Sequence, residues 1–169
     1  MPSPTMTLIA SSTVGSGGAA SIDFTSIPST YTDLCLKVSS RFSSTSGDVG
    51  IKLNTSSASF SRKVLRGNGS TASSTGASDN YIGGTDISTY TASTFNNMEI
   101  YIPNYAGSTN KSISADSVSE NNATEGWQFM VASLWSNTAA ITGITLYDFS
   151  SGTNFVQFST AYLYGIRNS

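Results

Sequence analysis

Acid–base and nucleophilic chemistry in proteins leans on histidine, and this chain of 169 residues has none. That removes Ser-His-Asp and Cys-His activation together with the usual zinc sites. Carboxylate-only catalysis survives the exclusion, because Glu99, Asp116, Glu120 and Glu125 could supply a glycosidase acid and its partner. Ten acidic residues in a chain of this length will also bring some pair to that separation by chance. The run Gly67-Asn-Gly-Ser-Thr lacks the wider glycine spacing and the lysine of a phosphate-binding loop, and reads as a turn. The single cysteine, Cys35, cannot close an internal disulfide and reads as a small residue within a strand. Four Asn-x-Ser/Thr sequons, at Asn54, Asn68, Asn110 and Asn122, match what chance gives in a chain so rich in Ser and Thr. No cofactor or metal site is expected.

Charged residues make up 11% of the chain, against about 25% in an average soluble domain, while Ser and Thr fill about a third of all positions. Polarity therefore comes from hydroxyls and amides. Hydrophobic residues reach 38% and aromatics 11%, enough to build a core of ordinary size and to argue against disorder. Net charge is -2, and the eight Lys and Arg are scattered singly apart from Arg62, Lys63 and Arg66. Capture of nucleic acid needs a dense basic stripe, so it is not expected. No run of 18 apolar residues exists and the first ten residues lack a basic segment before a long apolar one. The expectation is a cytosolically made protein without membrane anchor or secretory signal.

The elements that would position any site are strands, because apolar residues cluster with period two and β-branched and aromatic types dominate the clusters. Candidate strands run from Met6 to Val14, Ala20 to Ile27, Leu34 to Val38, around Ile51 and Leu53, and from Phe60 to Leu65. They continue weakly at Tyr81-Ile82 and Asp86 to Tyr90, then clearly from Phe95 to Ile102, where Pro103 ends the ladder. Gly67 to Asn80 is almost all Gly, Ser, Thr, Ala and Asn and reads as a long loop, either a contact element or simply a mobile one. Lys111 to Glu120 reads as a polar edge strand. Gly126 to Ser136 is the strongest, with Trp127, Phe129, Val131 and Trp135 on one parity and Met130, Ala132 and Leu134 on the other. Both of its faces ask for burial, beneath loops or against another subunit. With Ile144 to Phe149 and Ala161 to Ile166, some ten short strands separated by Gly/Asn/Ser turns predict an all-β chain, an antiparallel β-sandwich of jelly-roll type spanning 1–169 as one domain. Its first and last strands are expected side by side.

One set of motifs points beyond the fold. Ile22-Asp-Phe-Thr-Ser-Ile-Pro-Ser-Thr-Tyr-Thr-Asp-Leu34, then Ile102-Pro-Asn-Tyr-Ala-Gly-Ser-Thr-Asn-Lys-Ser112, and finally Trp135, Ile141, Ile144, Leu146 and Leu163-Tyr-Gly-Ile166 occur in that order. In this order the chain resembles small virion structural proteins of tailed bacteriophages, including those of cyanophages, which serve as capsid decoration (cement) proteins, head fibres or tail components. The resemblance implies a non-enzymatic jelly-roll protein on the outer surface of the virion. A decoration protein would clamp neighbouring major-capsid subunits, expected as a trimer, and would act by burying surface rather than by chemistry.

For that role the candidate contacts are the N-terminal arm 1–5 with Met1, Pro2 and Pro4, the basic trio Arg62, Lys63 and Arg66, and the two tryptophans Trp127 and Trp135. The alternative is a tail or fibre component that binds a carbohydrate receptor, for which Tyr81, Tyr90, Tyr105 and Asp79 could stack on and bond a glycan. Core or rim packing is the plainer reading of those four.

Overall fold

The computed structural model describes residues 5–120 and 126–167. Twelve strands follow one another: β1 (Met6–Thr13), β2 (Ser21–Phe24), β3 (Asp33–Ser39), β4 (Asp48–Leu53), β5 (Phe60–Gly67), β6 (Ala72–Ala77), β7 (Tyr81–Gly84), β8 (Asn97–Ile102), β9 (Lys111–Glu120), β10 (Gly126–Trp135), β11 (Ile144–Asp148) and β12 (Thr160–Ile166). No helix occurs among the described residues.

The strands form two antiparallel sheets, a large one ordered β1-β12-β3-β8-β9-β10-β5-β6 and a small one ordered β2-β11-β4-β7, packed as a β-sandwich. The two chain-end strands lie side by side, as their sequences predict, with Met6 opposite Ile166 and Thr13 opposite Thr160. Four pairs nest inside one another along the chain: β1 with β12, β2 with β11, β3 with β8 and β4 with β7. Period-two patterning decides which way each strand faces. Leu34, Leu36 and Val38 of β3 meet Met98, Ile100 and Ile102 of β8 and Leu163 of β12 in one buried layer. Ile22 and Phe24, Val49, Ile51 and Leu53, and Ile144 and Leu146 supply the facing layer from the small sheet. Each such side chain gains about 1.5–3 kcal/mol by leaving water, which is why the alternation is kept so strictly.

Four expectations are corrected. Gly67 to Asn80 is not one long loop: the turn spans only Asn68 to Thr71, where Asn68 Oδ1 accepts from the N–H groups of Ser70 and Thr71, and β6 follows. β6 shows no apolar alternation because it borders the sheet with almost every side chain exposed, so backbone pairing with β5 alone defines it. β9 is not an edge but lies between β8 and β10. Its inward residues Ala115, Ser117 and Ser119 are small because β7 crosses closely there, with the Gly84 N–H donating to Ser117 Oγ at 3.0 Å. Asp86 to Tyr90 is irregular rather than a strand, held by Arg41, whose guanidinium donates to the carbonyls of Tyr90 (3.0 Å), Thr91 (2.9 Å) and Thr94 (3.1 Å). The expected strand from Ala20 to Ile27 also closes early, at Phe24.

Candidate functional site

The small sheet covers one side of the large one and leaves the other side open. Register fixes what that open face carries. Leu65 lies opposite both Ser74 and Met130, and Met130 lies opposite Asp116. From Asp116 the same row runs on through Glu99 and Lys37 to Tyr162. Its middle is charged, with Lys37 paired to Glu99, whereas its two ends are apolar. At the β5–β10 end Leu65 is 58% and Met130 57% exposed, joined by Val118 and Leu134; at the β1–β12 end Leu8 is 50% exposed beside Met6 and Tyr162. These exposed side chains form two apolar patches flanking the charged middle of the row.

At the same end as Leu65 a groove of about 850 Å³ opens between the β5–β6 turn and the ends of β9 and β10, lined by Leu65, Met130, Val118, Trp127, Arg66 and Glu120 among others. Trp127 is half-buried there, its ring stacked on Phe129 at 6.1 Å and approached by the Arg66 guanidinium at 5.5 Å. Arg66 also donates to Ser73 Oγ on β6.

The structure brings some of the anticipated contacts together and separates others. Arg66 and Trp127 meet at the groove. Lys63 lies against Gly76 on the open face, whereas Arg62 is turned to the other face of β5, donating to Asp79 at 2.5 and 3.0 Å with its guanidinium 4.6 Å from the Tyr81 ring centre. Trp135 is buried against Phe60 in the core. Met1, Pro2 and Pro4 lie outside the described residues, as does Glu125.

Of the residues considered for a glycan, Tyr81 is buried and Asp79 is taken up by Arg62. Tyr105 is fully buried with its hydroxyl donating to the Pro28 carbonyl, and Tyr90 is half-buried in the loop that Arg41 ties. Tyr81 and Tyr105 pack in the core, whereas Asp79 is an ion-pair partner and Tyr90 lies at the rim. Among the acids, Glu99 and Asp116 are cross-strand neighbours on the open face, not partners across a cleft, and Glu120 lines the groove.

Perturbed groups serve the scaffold. Burial raises the Asp148 carboxyl, but hydrogen bonds from the Thr153 hydroxyl and from the N–H groups of Ser151, Thr153 and Ser150 outweigh it and hold it below its ordinary 3.8. Burial pushes the Lys111 ammonium down, although its Nζ donates to the carbonyls of Gly107 and Thr109. The Tyr101 hydroxyl donates to Asp33 at 2.6 Å and is pushed up to about 12 chiefly by that bond. Burial also raises the Cys35 thiol, which fits a packing role.

The residues that make the open face apolar, Leu65, Met130, Val118 and Leu8, are not among the anticipated contacts. Their signal is present in the sequence for β10, whose second parity is apolar. It is absent for Leu65 and Leu8, which read as ordinary strand residues until the sheet order shows which face they occupy. Comparison with protein-family models, with curated proteins and with solved structures finds no match for this chain.

Proposed function

We propose that this protein is a non-enzymatic structural component of a bacteriophage virion, a capsid decoration protein that binds the major-capsid lattice through a sheet face and acts as a homo-oligomer, a trimer at local threefold positions. The exposed apolar patches at the two ends of the large sheet's open face carry the reading. A protein whose work is to bury surface against neighbours needs a broad, rigid, weakly charged face. Eight strands spaced about 4.8 Å apart, each about 20 Å long, give a face on the scale of the roughly 800 Å² per partner of a standard interface. The order of motifs from Ile22 to Ile166 supports the phage assignment.

The strand order supports a jelly roll. Four nested antiparallel pairs, with β1-β12-β3-β8 in one sheet and β2-β11-β4-β7 in the other, are what a long hairpin yields when rolled into two layers. The consecutive pairs β5–β6 and β9–β10 then read as insertions that widen only the large sheet.

A glycan-binding fibre part is the second reading, and the groove at Trp127 favours it over any other place on the described surface. Trp127 is already engaged by Phe129 and Arg66, which leaves less of its ring for a sugar. Adding the purified protein to heads that lack it and locating the new density by cryo-electron microscopy separates the two. Regular occupancy of local threefold sites over the shell is the expected outcome. Density confined to the tail or to one vertex would overturn it in favour of the fibre reading.

A further inference from the structure

We propose that the large sheet continues from one copy of the chain to the next, the β6 edge of one subunit taking β1 of its neighbour as a further strand. β1 and β6 are the two outermost strands of that sheet. Exposed edges are normally guarded by charge or proline, because their free N–H and C=O groups will pair with any strand that arrives. Neither strand carries a charge or a proline of its own, although β1 is bulged between Leu8 and Ala10 and Lys63 of β5 lies against Gly76 of β6: β1 reads Met-Thr-Leu-Ile-Ala-Ser-Ser-Thr and β6 reads Ala-Ser-Ser-Thr-Gly-Ala.

Direction agrees. Every neighbouring pair in the sheet is antiparallel and the sheet has eight strands, so β1 and β6 run in opposite senses. A neighbour in the same orientation therefore offers its β1 antiparallel to β6, and the alternation passes through the joint unbroken.

Charge selects β1 over a second β6. Lys63 lies against Gly76, and Arg66 holds Ser73, so both faces of β6 are flanked by cations. Two β6 edges meeting about a twofold axis would bring a second set of those cations to the same joint, and like charges repel. β1 has no ionisable side chain.

Apolar exposure points the same way. On the open face β6 presents only Ala72, Ser74 and Gly76, which share the side of Leu65 by register. Leu8 stands on that same face, half exposed. Joined, Leu8 of the neighbour leans over the small side chains of β6 toward Leu65, and the two apolar ends of the face become continuous. Such a joint is heterologous, so it repeats around a ring or along a filament rather than stopping at two copies.

The test is the mass of the purified protein in solution, by light scattering on a sizing column and by native mass spectrometry, with circular dichroism as the check on folding. Wild type is expected at a multiple of 17.7 kDa greater than two. Leu8→Lys places a cation on the open face toward Lys63 and is expected to run as folded monomer. Leu8→Glu places an anion there and is expected to stay assembled, with an assembly that weakens as salt is added. A monomeric or dimeric wild type, or identical behaviour of the Lys and Glu variants, overturns the joint. The measurement involves no capsid, so its failure is distinct from that of the virion reading: monomers that still decorated heads would remove the joint alone, and rings that left heads bare would remove the decoration role alone.

Discussion

Trp127 and Trp135 stand on the same parity of β10, yet they do different work. Trp135 is 1% exposed, stacked near Phe60, and its Nε1 has no hydrogen-bond partner among the described residues. Cutting it to Ala removes a large buried ring and should cost about 3–5 kcal/mol in urea unfolding. Trp135→Phe should cost far less, under about 2 kcal/mol, because it discards an unpaired buried donor along with part of the ring. Trp127→Ala, at the lip of the groove, should cost clearly less than Trp135→Ala in the same assay. Equal losses for the two alanine variants would mean that Trp127 is as much a core residue as Trp135.

Asp148 works through its charge. Its carboxylate accepts from Ser150, Ser151 and Thr153 and so closes the turn after β11, and its folded value sits below the ordinary 3.8. A group depressed on folding contributes stability that is complete above its unfolded value and is lost as pH falls through the folded one. Wild type should therefore exceed Asp148→Asn in stability near neutral pH, and the gap should close as pH is taken below 3.8. Paired denaturant titrations from pH 7 to pH 2.5 check this, and a gap that widened on acidification would refute the sign.

Elements that bury one face are legible in this sequence, and elements that bury none are not. β3, β8 and β12 alternate because each has a core side, and the pairing of the chain-end strands β1 and β12 follows from type and length. β6 escapes because an edge strand with two exposed faces has only backbone pairing to define it, and Ala-Ser-Ser-Thr-Gly-Ala is equally at home in a loop. β9 looks like an edge because its inward residues are small, yet their size answers the close passage of β7 and not any lack of neighbours. The site divides the same way. Arg66 and Trp127 are visible as rare residue types, but Arg62 and Trp135, equally rare, belong to a tied surface pair and to the core. Only partners in space separate them.

Gly165 shows what close passage of elements demands. The segment before β3 lays the Tyr31 ring against β12, so a Cβ at position 165 would sit 2.3–2.5 Å from three ring carbons. The glycine is required by approach rather than by backbone angle. Gly165→Ala should destabilise by about 1–3 kcal/mol through overpacking, seen as a lower thermal midpoint. Pairing it with Tyr31→Ala should recover part of that loss, since the clash disappears with the ring. A double variant no better than the sum of the two singles would place the strain elsewhere.

At the scale of the whole molecule, the proposed attachment through the open face predicts how binding should respond to salt and to surface change. The charges of that face include Lys37, Glu99, Asp116 and Lys63, and Lys37 is already paired with Glu99 across the middle of the sheet. An interface formed on it draws on burial of Met130 and Val118 more than on ion pairs that salt would screen. Affinity for heads that lack the protein should therefore change by less than about threefold between low and moderate salt, whereas burying a side chain of this size is worth about 1.5–3 kcal/mol and each 1.4 kcal/mol is tenfold in affinity. Met130→Ser should accordingly weaken attachment by roughly tenfold, and Val118→Ser by somewhat less because it is smaller. Both are exposed in the free subunit, so its own stability should move by no more than about 0.5 kcal/mol. Sedimentation of heads with labelled protein, at two salt concentrations and with both variants, gives all of these numbers. A steep salt response with indifferent serine variants would transfer the attachment from the apolar patches to the basic residues of β5, and those patches would then have to be explained by the joint between copies alone.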